Sequence, residues 1–163
     1  MKSLLISPAL LRQCFAHGAA GYPEEVCGVL SGPADASDRV TAAHPLPNIL
    51  TRLHSEDPER YPRTAQEGYV LDPREHMLLE RKLSAEGQAI RVIYHSHVDV
   101  GAYFSAEDQR RALWDGRPLW PGVDYLVCGI KNRLPDGAVL VRYDERSCQF
   151  TEDSLLAPGT GPD

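Results

Sequence analysis

The order of apolar and polar positions divides the chain into alternating helix-like and strand-like segments. Ser7-Pro8 reads as a helix start, a side-chain cap followed by proline at the first helical position. Leu10, Leu11, Cys14 and Phe15 then recur with helical spacing, and Gly21 ends the segment. Val26 to Leu30 is a short apolar run between turn residues, the mark of a buried strand, and 39–46 can return beside it as a hairpin partner. Asp72, Pro73 and Glu75 repeat the punctuation in a capping-box arrangement and predict a second helix to Glu86, with Gly87 ending it. Ala89 to His95 is apolar enough for a central strand, and Ser105-Ala106-Glu107-Asp108 opens a third helix through Leu113. Val123 to Ile130 and Ala138 to Tyr143 read as two strands joined through Leu134-Pro135-Asp136-Gly137.

This alternation, with no internal repeat and no second domain, predicts an α/β fold: a single mixed central β-sheet flanked by helices over residues 1–153. The stretch 47–68 is polar and proline-dotted with no period, which predicts a long loop of the kind that often carries function. Residues 154–163, rich in Gly and Pro from Pro158 onward, are expected to be a disordered tail. The length of 163 residues suits one domain and is too short for a complete TIM barrel, which takes about 250. With 17 basic against 23 acidic residues the net charge is -6, so no basic footprint points to nucleic acid, and the acidity reads as solubility. No apolar run approaches the roughly 20 residues that span a bilayer. The apolar stretch at the N-terminus is too short for a secretory signal and meets Pro8 at once, so a cytoplasmic protein without membrane partners is expected. Cys14, Cys27, Cys128 and Cys148 form no C-x-x-C pair, which argues against a zinc knuckle or a thioredoxin-like site and for reduced, structural thiols.

The segment that carries chemistry is His95-Ser96-His97 followed by Ser105 and Asp108, a pattern H-x-H-x7-S-x2-D. Residues two apart on a strand point to one face, so both imidazoles can address one point at the end of an apolar strand. Ser105 and Asp108, three apart, are neighbours on a helical face. Two imidazoles and a carboxylate are a frequent catalytic zinc set that leaves the fourth tetrahedral position for water. Taken alone, Ser105 with Asp108 is an ordinary helix start, and a lone H-x-H is more often no metal site. The combination arises by accident in about one such chain in a thousand. A hydrolase of this kind also needs a carboxylate that is not a ligand, to move the proton of the attacking water. Glu24 and Glu25, just before the Val26–Leu30 strand, are both available, and residue chemistry alone does not choose between them.

The full motif resembles that of the JAMM (MPN+) zinc metallopeptidases, and Pro23-Glu24-Glu25-Val26-Cys27-Gly28 resembles the P-x-E-x-C-G signature of the same family. The likeness spans most of the chain and is greatest to the small, stand-alone bacterial type. It implies the MPN (cytidine-deaminase-like) fold, one zinc ion held by His95, His97 and Asp108, Glu25 as the acid/base residue, and Ser105 as a hydrogen-bond donor to the oxyanion. It further implies hydrolysis of the peptide or isopeptide bond after the C-terminal Gly-Gly of a ubiquitin-like or sulfur-carrier protein. The substrate tail must then lie extended, with 48–69 and 98–104 as its walls and Tyr61, Tyr69, Tyr103 and Phe104 as possible lining residues.

Other readings compete. His95 to Asp99 matches the opening of the metallo-β-lactamase H-x-H-x-D-H motif, but Val100 stands where its third histidine is needed. Nucleobase deaminases require H-x-E with P-C-x-x-C, which is absent. A non-catalytic interaction module of the same fold, or a zinc amidase acting on small peptides, remains as an alternative; scaffold versions usually lose ligands that this chain keeps. His17, His44, His54 and His76 lack matching spacing and read as structural or solvated. Trp114 and Trp120 are either core anchors or an exposed partner surface, and the oligomeric state is open.

Overall fold

The computed structural model describes residues 4–156. Ser7 caps the first helix: its Oγ accepts the Leu10 N–H at 3.2 Å, and α1 runs Pro8–Gly21. Strand β1 (Cys27–Pro33) follows and turns back into β2 (Ala42–Leu46). A short helix α2 (Leu50–Glu56) precedes α3 (Pro73–Ala85), which Asp72 caps through the Arg74 N–H. Then come β3 (Gln88–Val98), α4 (Ala106–Ala112), a small hairpin of β4 (Leu113–Trp114) and β5 (Arg117–Pro118), and the antiparallel run β6 (Asp124–Lys131), β7 (Leu134–Asp144) and β8 (Gln149–Leu156).

Six strands form one sheet in the order β2-β1-β3-β6-β7-β8, and its pairs are antiparallel except β3 with β6. A parallel pair needs a crossover connection, and here it carries α4 and the β4–β5 hairpin. The mixed sheet flanked by helices is thus the architecture that the hydrophobic pattern predicts.

Strand parity assigns the two faces. Val92 and Tyr94 of β3 pack with Leu126 and Cys128 of β6 against Leu10, Leu11, Cys14 and Phe15 of α1. Ile93 points to the opposite face, joining Val29, Tyr125, Val127 and Val141 beneath Phe104, Ala112 and the partly buried Leu79. His95 and His97 share the parity of Ile93 and so emerge on the α3/α4 face. Gly18 lets α1 approach the sheet closely, since a Cβ there would lie 2.9 Å from Ile130 and 3.3 Å from the Ser96 Cβ.

Several expectations require correction. The segment 47–68 is not all loop: Leu50 is fully buried and anchors α2 within it. The turn before the Ala138–Tyr143 strand lies earlier than expected, at Asn132 and Arg133, both in the left-handed region (φ 50° and 67°). Leu134 to Gly137 therefore already belong to β7, whose register against β6 shifts between Pro135 and Ala138, opposite Ile130 and Cys128. Strand β8 continues to Leu156, past the boundary set at 153, and the remainder of the expected tail, 157–163, lies outside the described residues. Its mostly exposed edge position explains why β8 shows no apolar run. All four thiols are free, but Cys148 is exposed near the β7–β8 turn, while the other three are buried. No helix among the described residues is long and apolar enough to cross a membrane.

Candidate active site

The site forms at the carboxyl end of β3. Antiparallel pairing sets Cys27 opposite His95, and continuing that register sets Glu25 opposite His97. The connection is held by Ser96, whose N–H donates to the Val26 carbonyl at 3.0 Å and whose Oγ accepts the Val26 N–H at 2.8 Å. The middle residue of H-x-H, facing away from the site, thus fastens the Glu25 segment to the histidine strand. Glu25 is buried while Glu24 is exposed, so burial separates the two adjacent carboxylates that residue chemistry left equal.

From the other side comes α4. Ser105 Oγ accepts the Asp108 N–H at 3.0 Å and the Ser105 N–H donates to Asp108 Oδ2 at 3.0 Å, a complete capping box. The ordinary reading of Ser105 and Asp108 as a helix start is therefore true, and it is the same device that fixes where Oδ2 points. That oxygen lies 3.2 Å from His95 Nε2 and 3.2 Å from His97 Nε2, and the two nitrogens are 3.2 Å apart.

Three donor atoms in an equilateral triangle of this edge form one face of a tetrahedron whose centre is about 2 Å from each, the distance a tetrahedral metal keeps to nitrogen and oxygen ligands. Hydrogen bonding alone does not satisfy the triangle. His97 Nδ1 lies 3.2 Å from the Gly101 carbonyl, which can only accept, so the Nε2 of a neutral His97 is a bare lone pair aimed at a carboxylate oxygen. A positive charge at the centre, from a proton or a metal cation, would satisfy all three atoms at once. Burial and mutual charge shift the three groups in different directions. Burial works against a charged His97, yet Asp108, Glu25 and the Gly101 carbonyl outweigh it and raise its pKa. Burial likewise opposes ionisation of Asp108, but the two imidazoles hold its carboxyl well below the usual range. His95 is fully buried, which lowers its pKa, and its Nδ1 has no hydrogen-bond partner among the described residues.

Glu25 borders the same imidazoles: one ligand atom from each of Glu25, His95 and His97 lies within 4.8 Å of the others, so this buried group too can hold a metal ion. The two carboxylates differ in ionisation. Burial pushes Glu25 up to about 8; among smaller effects the His97 charge lowers it and the Asp108 charge raises it. A carboxyl that holds a proton at neutral pH suits proton transfer, whereas an ionised one suits ligation.

These groups open into a cavity of about 260 Å³ lined by Arg63, Gln66, Glu67, Gly68 and Tyr69 on one side and by Val98, Val100 and Tyr103 on the other. Both segments expected as walls contribute. Of the four aromatics named from the sequence, Tyr69 stacks on His95 (ring centroids 4.3 Å) and Tyr103 meets His97 edge-on (4.9 Å). Phe104 is instead a core residue packed on Tyr125 and Phe150, and Tyr61 does not reach the cavity.

Two supporting residues were not legible. Asn48 donates from Nδ2 to the carbonyls of Glu25 (2.8 Å) and Gly68 (3.0 Å), and its Oδ1 accepts from Leu50 and Val70. It staples the Glu25 segment to the cavity wall, and nothing in an isolated Pro-Asn-Ile marks it. Ser96 hides as the variable position of H-x-H. The remaining histidines are structural: His17 lies 2.8 Å from Tyr94 Oη, His44 2.7 Å from Ser31 Oγ, His54 Nδ1 bonds the Tyr61 carbonyl, and His76 packs on Trp120. Trp114 is 75% exposed and no core anchor.

Residues 7–136 match the family described as prokaryotic homologs of the JAB domain. The chain is 40% identical over 119 residues to a desampylase of Haloferax volcanii, covering 72% of each chain. It is 34% identical over 145 residues to the CysO-cysteine peptidase of Mycobacterium tuberculosis, covering 83% of this chain and 86% of that one. Among solved structures it is similar to a Desulfitobacterium hafniense protein (TM-score 0.64, 25% identity, 94% of this chain and 90% of that one) and to one from Salinibacter ruber (TM-score 0.61, 25% identity, 100% and 95%). With its motif, fold and peptidase relatives in agreement, the chain belongs to the family of prokaryotic JAB-domain homologues and is a hydrolytic enzyme of the small, stand-alone type.

Proposed function

We propose that this chain is a zinc-dependent metallopeptidase or isopeptidase that hydrolyses the bond after the C-terminal glycine of a ubiquitin-like or sulfur-carrier protein. The observation that carries the reading is the 3.2 Å triangle of His95 Nε2, His97 Nε2 and Asp108 Oδ2 beside the buried carboxyl of Glu25. The names of the desampylase and the CysO-cysteine peptidase support the substrate class.

His95, His97 and Asp108 would hold one zinc ion, with Asp108 as the ionised ligand. Bound there, zinc supplies a Lewis acid that makes water nucleophilic at neutral pH and polarises the scissile carbonyl. Glu25 takes the proton of the attacking water and returns it to the departing amine. Burial raises its carboxyl to about 8, and a cation held by His95, His97 and Asp108 would lower it again, which would let it take a proton from water and give it up to the amine. Ser105 Oγ uses a lone pair to cap α4, so its own proton stays free for the carbonyl oxygen as negative charge develops there. A cavity of about 260 Å³ admits an extended tail and no folded domain, and a glycine pair lets the backbone pass close to the walls.

The test combines metal analysis with mass spectrometry of a ubiquitin-like carrier whose Gly-Gly end is extended by further residues. One zinc per chain and cleavage after the second glycine are expected. Protein with no affinity for zinc, or zinc-loaded protein that leaves extended carriers intact, would overturn the reading; cleavage confined to short peptides would favour a small-amide hydrolase.

A further inference from the structure

The capping box fixes Ser105 and Asp108 relative to each other, but both stand at the start of α4 and would move with it. Along the chain they are joined to the histidine strand by the loop 98–104, and that loop is fastened at both ends. Where it leaves β3, the Asp99 N–H donates to the Ile130 carbonyl at 2.8 Å. The Asp99 carboxylate accepts the Asn132 N–H at 3.0 Å on Oδ1 and the Tyr22 hydroxyl at 2.6 Å on Oδ2. Where the loop arrives at α4, the Phe104 N–H donates to Glu152 Oε1 at 2.6 Å.

The second fastening comes from an element with no other part in the site. Glu152 lies on β8, the edge strand at the far side of the sheet, beyond the family-matched residues 7–136. Its neighbours Thr151 and Asp153 are exposed, the ordinary condition of polar residues on an edge strand. Glu152 is placed differently. Residues two apart on a strand share a face, and Phe150, two before it, packs its ring 5.0 Å from that of Phe104. Phe150 pairs with Tyr143 and Glu152 with the fully buried Val141, so the glutamate follows the ring along the face that meets the loop. Phe104 is thus gripped twice by β8, its side chain by Phe150 and its N–H by Glu152. Glu152 makes no ion pair among the described residues, and the backbone donor is its partner. A carboxylate accepting a backbone N–H makes a charge-assisted bond, about twice as strong as a neutral one. Phe104 is buried, so removing the carboxylate would leave its N–H short of an acceptor.

We propose that Glu152 is a positioning residue of this enzyme: by fixing the Phe104 N–H it holds the Ser105 hydroxyl, one residue on, where the oxyanion develops. The inference rests on the hydrolytic reading above and on the part given there to Ser105. Glu152 does not line the catalytic cavity, and it moves no proton. Its effect passes through the backbone of residues 104 and 105. An oxyanion donor contributes only at hydrogen-bond distance from the charged oxygen, and a misplacement of about 1 Å can cost about a hundredfold in rate. Ser105 would act on charge that develops during the reaction, so the effect of Glu152 belongs to kcat and not to KM.

The experiment uses the zinc-loaded full chain, a ubiquitin-like carrier extended beyond Gly-Gly as substrate, and amide hydrogen exchange as a readout independent of turnover. Glu152→Ala should lower kcat about tenfold with KM within about twofold, leave zinc content unchanged, and speed exchange of the Phe104 amide at least about tenfold. Glu152→Gln, whose side-chain oxygen can accept the same N–H, should restore most of both. Asp153→Ala removes the same charge from the opposite face of β8 and should change neither. On a Ser105→Ala background, Glu152→Ala should cost less than about twofold further in kcat. If Glu152→Ala does not fold, Glu152→Asp, which keeps the charge and shortens the reach, takes its place with the same expectations. Unchanged Phe104 exchange, a tenfold loss repeated on the Ser105→Ala background, or a loss that Glu152→Gln does not relieve would overturn the inference and leave the peptidase reading standing. Inertness of the zinc-loaded wild type toward the carrier would instead remove the peptidase reading, and this inference with it.

Discussion

Side chains of the candidate site have a place in the fold as well as the part in the chemistry proposed for them, and substitutions can be chosen to separate the two. Glu25 and Glu24 are adjacent carboxylates in opposite settings, one buried at the imidazoles and one in solvent. Glu25→Gln keeps the shape and removes the proposed proton carrier, so hydrolysis should fall by at least about a hundredfold while binding of the proposed zinc persists. Glu24→Gln should leave turnover within about twofold of the wild type; the reverse ranking in a single-turnover assay would exchange their roles. Ser105 caps α4 and fixes Asp108 through the same box that presents its hydroxyl to the cavity. Ser105→Ala should cost about 1 kcal/mol of stability from the lost cap and about 10²-fold in kcat from the lost donor. Ser105→Thr, which keeps both functions, should recover both readouts; stability recovered without activity would mean the hydroxyl serves the helix alone.

At the scale of elements, what local chemistry announces was legible and what only three-dimensional pairing decides was not. Caps at Ser7, Asp72 and Ser105 placed three helix starts to the residue, because the side chain that ends the previous segment is written into the sequence. The apolar runs placed β1, β3 and β6. The α2 helix stayed hidden because a single buried leucine, Leu50, anchors a seven-residue helix among prolines, too short for a period to show. Strand β8 stayed hidden because an edge strand needs one partner and little apolar surface. In the site, spacing alone brought out His95, His97 and Asp108, since β-strand parity and one helical turn suffice to gather them. Choosing Glu25 from its neighbour took the family resemblance, and Asn48 and Ser96 act through backbone groups that no residue pattern marks. The glycine of the Glu25 segment has a purely packing role that the structure makes testable. Gly28 pairs across from Tyr94, and a Cβ there would lie 2.5 Å from that ring and 2.5 Å from the His44 carbonyl. The ring can turn, but the carbonyl belongs to the β1–β2 ladder. Gly28→Ala should therefore destabilise by about 1–3 kcal/mol, read from a urea midpoint, and combining it with Tyr94→Ala should not rescue the loss.

Across the whole molecule, burial lowers the pKa of three histidines outside the site, on three separate elements. His17 of α1 sits against Tyr94, His44 of β2 against Ser31, and His76 of α3 against Trp120. Burial lowers each of their pKa values; for His44 Lys82 adds to the effect and Glu86 opposes it, and for His76 Glu80 opposes it. The unfolded chain accepts protons at these positions near 6.5, while the folded chain resists them. Over that interval the unfolded state binds more protons, so stability rises with pH. It is fully present above 6.5 and is lost as the pH falls through that value toward the lower folded-state values. Asp108 works in a separate window: its depressed carboxyl contributes stability above its unfolded value of 3.8 that is lost only in stronger acid. These three histidines should thus lower the urea midpoint as pH falls from 7.5 to 5.5, while Glu25 and His97, both raised in the folded state, take up protons there and act in the opposite direction. A double variant, His44→Gln to keep a hydrogen-bonding group at Ser31 and His76→Phe to keep a ring on Trp120, should decline less over the same interval. The catalytic groups titrate alike in both proteins and cancel from the difference. An equal response in the two proteins would mean that these two histidines are protonated in the folded protein as readily as in the unfolded one.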